Sequence, residues 1–144
     1  MRLVLAVFCG GMVGTALRFT IDLALPHSDA QFPVSTLLAN TLGALVLGWL
    51  VGGLWTRPEV PQWLKVALGP GLLGAFTTFS GVMVSLVALS TADAVGLAWT
   101  YFGATIVLGF VAAALGLWTG GRMAHRLRRD GLPDLELPDD GLTQ

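Results

Sequence analysis

Four long apolar stretches constrain this chain more than any other feature. They run from Leu3 to about Leu25, from about Val34 to Trp55, from about Trp63 to Leu89 and from about Ala94 to Trp118. Each can cross a hydrocarbon layer about 30 Å thick as a helix. Helix is dictated because lipid offers backbone N–H and C=O groups no alternative partner. Composition agrees: 54% of the 144 residues are hydrophobic and 12% are charged, against about 25% charged in soluble domains. The predicted fold is all-α, with a four-helix membrane domain over residues 1–121. Arg2 before an apolar run loosely fits a secretory leader, but three further spans and no small-residue cleavage site speak against it.

The connections are short and carry helix breakers. Pro26, His27, Ser28 and Asp29 make the first, and Thr56, Arg57, Pro58, Glu59 and Pro61 the second. Ser90, Thr91 and Asp93 make the third, with Asp93 a candidate N-cap for the last helix. Residues 122–144 read as a basic, then acidic tail whose composition predicts disorder. With the N-terminus inside the cell, Arg2, Arg57, Lys65, Arg122, Arg126, Arg128 and Arg129 all fall on or next to the cytoplasmic side. Neither outer loop has a Lys or Arg. The positive-inside rule therefore predicts one orientation, with both termini cytoplasmic.

Several functions lose support here. No basic stretch alternates with aromatics, so nucleic acid is not an expected partner. Cys9 is the single cysteine, so no intrachain disulfide can form. No carboxylate lies deep within a span, as proton-coupled exporters require. Catalytic or metal-binding clusters of Cys, His, Ser and Asp are missing, so an enzyme is not expected.

Polar and small residues inside the spans are the informative ones. In the third, Gly69-Pro70-Gly71-Leu72-Leu73-Gly74 precedes Ala75-Phe76-Thr77-Thr78-Phe79-Ser80-Gly81. Proline removes a donor and glycine permits non-helical backbone. Two readings stand: a kinked helix packed by small residues, or a broken helix whose freed carbonyls hold a small cation. The second span places Thr36 and Asn40 on one face, and an amide there needs a helix partner or a wet path. In the first span, Gly10 and Gly14 suit close helix contact. Arg18 either faces protein and water or reaches the outer headgroups, with Asp22 one turn on as its partner. The fourth span carries Tyr101 and Thr105 on one face. Tyr101 can alternatively belong to an interfacial aromatic belt.

Together, Gly10-Gly11-Met12-Val13-Gly14-Thr15-Ala16-Leu17-Arg18, Thr36-Leu37-Leu38-Ala39-Asn40-Thr41-Leu42-Gly43 and Gly74-Ala75-Phe76-Thr77-Thr78-Phe79-Ser80 resemble the Fluc/CrcB family of fluoride channels. The resemblance covers all four spans. It implies an antiparallel dimer in the cell inner membrane, two narrow fluoride pores, and passive export of cytoplasmic fluoride. It also implies a structural sodium ion at the dimer centre, held by backbone oxygens of Gly74 and Thr77 where the third helix breaks. Asn40, Phe79, Tyr101 and Thr105 match positions near the pores, with Thr36, Thr78 and Ser80 as weaker matches and Arg18 in a structural or vestibule role. Expected partners are fluoride, membrane lipid and a second, oppositely oriented subunit.

The chain departs from the family pattern at four places. Val82 stands where a second phenylalanine is usual, Gly81 where a threonine is, Ser85 where an acid is, and Gly109 follows Thr105 on the polar face. With the one-sided Lys/Arg distribution, these departures point to pairing with a paralogue. Two alternatives remain: a non-conducting structural subunit and, less favoured, a small multidrug-type exporter.

Overall fold

The computed structural model describes residues 1–28 and 30–130, with backbone only for 126–130. Asp29 and the acidic end of the predicted tail, 131–144, lie outside the described residues. Helix α1 spans Arg2–Ala24 and α2 Val34–Gly52, followed by a 3-10 turn at Leu54–Thr56. The third crossing is composite. It comprises α3 (Gln62–Val66), a π-helical stretch at Ala67–Leu73, α4 (Gly74–Phe76) and α5 (Phe79–Thr91). Helix α6 runs from Val95 to Asp130. Four helical segments are long and apolar enough to cross a membrane: Arg2–Ala24, Val34–Thr56, Gln62–Thr91 and Val95–His125. Large apolar side chains such as Phe8, Phe19, Val107 and Phe110 point outward on these segments. Lipid, not water, is the solvent that accepts them.

Glycine sets the helix seams. A Cβ on Gly10 would run into the carbonyl oxygen of Ala67, and one on Gly14 into that of Leu72, so α1 lies directly on the third-span backbone. The pair Gly48 and Gly116 does the same between α2 and α6, against the carbonyls of Ala113 and Leu45. Such contacts replace the hydrophobic drive that is absent in lipid. The π-helical stretch has a local cause. Pro70 cannot donate, and the N–H of Gly74 reaches the carbonyls of Gly69 and Gly71, widening the turn.

Two expectations meet a different local structure. Asp93 does not cap α6. It takes a left-handed conformation at φ 56°, just beyond the end of α5, while Ala94 N–H donates to the Leu89 carbonyl at 2.9 Å. That is a Schellman-type helix end, where Asp tolerates positive φ better than most residues. Helix α6 also continues past Gly121 through the arginine-rich stretch, about 54 Å in all at 1.5 Å per residue. Arginine is a good helix former, and cations suit a helix C-terminus. Arg122 stacks over Trp118 at 3.7 Å from the ring centroid, a pairing suited to the membrane interface.

Candidate functional site

The site forms where α2 meets the interrupted third crossing. Between α4 and α5, Thr77 (φ −87°, ψ 155°) and Thr78 (φ −151°, ψ 124°) are extended. A Cβ on Gly43 would strike the Thr77 methyl, so α2 packs straight onto this segment. One turn away on α2, the Asn40 amide binds Thr78 twice. Its Nδ2 donates to the Thr78 carbonyl at 2.9 Å, and Thr78 N–H donates to Oδ1 at 2.8 Å. One N–H of the amide stays free for a further acceptor.

Thr77 turns back on its own helix. Both its N–H (3.0 Å) and its hydroxyl (2.8 Å) donate to the Leu73 carbonyl. Thr78 is the N-cap of α5: Gly81 N–H donates to its Oγ1 at 3.0 Å, and the Ser80 hydroxyl lies 3.0 Å from the same oxygen.

A groove of about 960 Å³ opens beside this segment. Of the predicted residues, Asn40, Gly74, Thr77, Thr78, Phe79 and Thr105 line it. Phe79 is 75% exposed, so its ring is available to an approaching surface. Tyr101, Thr36, Ser80 and Arg18 lie outside the lining. Tyr101 is fully buried, with its ring edge-to-face against Phe32 at 5.4 Å and 89°. Its position is therefore a protein core and not an aromatic belt. The hydroxyls of Tyr101 and Thr105, one turn apart on α6, are buried close to each other and to Ser85 without a hydrogen bond of good geometry. Thr36 is buried one turn before Asn40 on α2.

Arg18 faces protein. Its Nε is 3.8 Å from Asp22 Oδ2, and a Cβ on Gly81 would come within 2.9 Å of its Nη2. The departure at Gly81 thus makes room for the guanidinium beside the α5 N-terminus. At Val82 the side chain is buried with Leu89, Ala98 and Tyr101.

Three features escaped the sequence. One is the Thr78 backbone as the partner of Asn40, across 38 positions. The others are the buried, unpartnered Ser35 hydroxyl and the nearness of Arg18 to Gly81. Asn40 carried a signal as an amide in an apolar span that needs a partner, and Gly81 as a departure from the family pattern.

Among the described residues no group of three or more His, Cys, Asp or Glu could hold a metal ion. Neutral oxygen is the donor chemistry on offer, and it suits an alkali cation better than a transition metal.

Residues 5–117 match the family described as CrcB-like protein, Camphor Resistance (CrcB). The chain is 34% identical over 129 residues to fluoride-specific ion channel FluC 2 of Geobacillus kaustophilus, covering 89% of this chain and 97% of that protein. It is 36% identical over 134 residues to FluC 2 of Bacillus subtilis, covering 93% and 99%. With FluC 1 of Lactiplantibacillus plantarum it shares 40% over 108 residues, covering 74% and 89%. A chain of four apolar crossings that matches in this way over most of its length is a multi-pass membrane protein of the CrcB family of ion channels, and not an enzyme.

Proposed function

We propose that this chain is a subunit of a fluoride-selective channel that lets cytoplasmic fluoride leave the cell passively. The observation that carries the reading is the pair of buried hydroxyls on α6. Burying a polar atom without a partner costs about 1–3 kcal/mol, and native structures keep few such atoms. The hydroxyls of Tyr101 and Thr105, one turn apart and beside the Ser85 hydroxyl, make no well-formed hydrogen bond, and we read them as stations for a small acceptor anion. The free Asn40 N–H offers another donor, and the electropositive edge of the Phe79 ring can face an anion. Fixed donors in a narrow path favour fluoride over larger chloride.

Phe79, Thr105 and the Asn40 face border one open, mostly apolar groove, which suits a second subunit. We assign that place to an oppositely oriented paralogue, with both termini of this chain cytoplasmic in the inner membrane. The residues present fit a sodium ion at the dimer centre. Thr78 N–H, which an unbroken helix would give to the Gly74 carbonyl, goes to Asn40. Gly74 and Thr77 would hold the ion through backbone oxygens, and it would supply a fixed positive charge that anchors the two subunits. The interrupted third crossing is the break that such a site needs.

A second reading has one observation in its favour. Val82 is buried in the chain's own core, so no second ring edge stands there, and the chain could support a partner's pore without conducting. Phe79→Ala and Tyr101→Phe in the co-expressed pair decide between the two. Loss of fluoride flux from an intact dimer supports a conducting subunit, and unchanged flux supports a structural one.

A further inference from the structure

Two N–H groups at the third-span break go to side-chain oxygens and not to helical carbonyls. In a continuous helix the N–H of Thr78 would go to the carbonyl of Gly74, and that of Gly81 to the carbonyl of Thr77, by the i to i−4 rule. Here Thr78 N–H goes to Asn40 Oδ1 at 2.8 Å and Gly81 N–H to Thr78 Oγ1 at 3.0 Å. Side-chain oxygens have thus taken the helical donors of two carbonyls, three positions apart. Those are the carbonyls assigned above to a cation.

We propose that Asn40 and Thr78 are the positioning residues of the cation site: they draw away the donors that would otherwise neutralise the Gly74 and Thr77 carbonyls. The inference rests on the sodium reading for its ligand, but the diversion itself stands on hydrogen bonds within the chain. Asn40 is suited to the task. An amide can accept the Thr78 N–H and also donate to the Thr78 carbonyl at 2.9 Å. Serine lacks the reach for both bonds, leucine lacks both groups, and aspartate would set a charge against the Thr78 carbonyl. Local side-chain bonds of this kind compete with helix by offering the backbone another partner. In lipid the competition is decisive, because a donor released by one partner has no water to turn to. Gly43 supports the arrangement by letting α2 approach Thr77 closely.

The test uses the full chain in its purified channel complex. Hydrogen–deuterium exchange is read at the Thr78 amide, and thermal midpoints are taken in sodium chloride and in choline chloride. Asn40→Leu is expected to speed exchange at Thr78 about tenfold, as loss of one hydrogen bond implies, and to abolish any sodium-linked rise in midpoint. Wild type is expected to keep Thr78 protected in choline, because Asn40 and not the cation holds that N–H. Equal exchange in wild type and Asn40→Leu overturns the proposal. If the variant does not fold, wild type still decides: loss of Thr78 protection in choline overturns the proposal, and retained protection supports it. A wild-type midpoint that ignores sodium, with protection still lost in Asn40→Leu, overturns the sodium reading alone and supports the clamp.

Discussion

Replacing Thr78 by alanine removes the cap of α5 and no large side chain. The hydroxyl accepts from Gly81 N–H at 3.0 Å, and the site is part-buried at membrane depth. N-cap loss in water costs about 1 kcal/mol, with a range of about 0.5–2. Water then replaces the lost acceptor, which lipid cannot do. The cost of an unsatisfied buried donor, about 1–3 kcal/mol, is therefore the better guide, and we expect Thr78→Ala to fall in its upper half. For a chain of this size about 1 kcal/mol corresponds to roughly 2–4 °C, so the thermal midpoint in detergent should drop by about 4–12 °C. Thr78→Ser keeps the oxygen and should stay within about 2 °C of wild type. The Ser80 hydroxyl, 3.0 Å from Thr78 Oγ1, is the nearby substitute, so the double variant with Ser80→Ala should fall further than Thr78→Ala alone. A Thr78→Ala midpoint equal to wild type would refute the claim that this cap holds the start of α5.

Three more outcomes are expected. Phe79 is mostly exposed in the subunit, so Phe79→Ala should cut fluoride flux about tenfold or more, the equivalent of about 1.4 kcal/mol, with the midpoint unchanged; parallel loss of both would assign Phe79 to folding. Gly81→Thr should crowd the Arg18 guanidinium and the Thr78 methyl and destabilise by about 1–3 kcal/mol, read as a lower thermal midpoint. In a Cys9→Ala background, a membrane-impermeant thiol reagent applied outside intact cells should label Ser28→Cys but not Glu59→Cys, and the reverse pattern would invert the topology.

The four crossings were legible because the apolar runs are long and their breaks are prolines and polar clusters. Pro70 and its flanking glycines likewise marked the irregular part of the third crossing. What the sequence did not carry was pairing at long range. Asn40 in an apolar helix announces that it needs a partner, but nothing in spacing points to the backbone of Thr78, 38 residues on. Tyr101 could be read as an interfacial tyrosine until Phe32 and Val82 were seen to enclose it. Asp93 shows a local ambiguity: the same residue type serves an N-cap and a left-handed helix end. The choice was made by Leu89, whose carbonyl captures Ala94. The extent of α6 escaped because hydropathy stops at the membrane edge while helix propensity does not.

The central claim is selective fluoride passage. The most direct measurement is simultaneous fluoride and chloride efflux from liposomes that hold this chain, prepared alone and co-expressed with an oppositely biased paralogue. The account predicts fluoride release from the pair without chloride release, and none from the chain alone. Fluoride release from the single chain would remove the need for a paralogue, and chloride release at a matching rate, or silence from both preparations, would contradict the channel assignment itself.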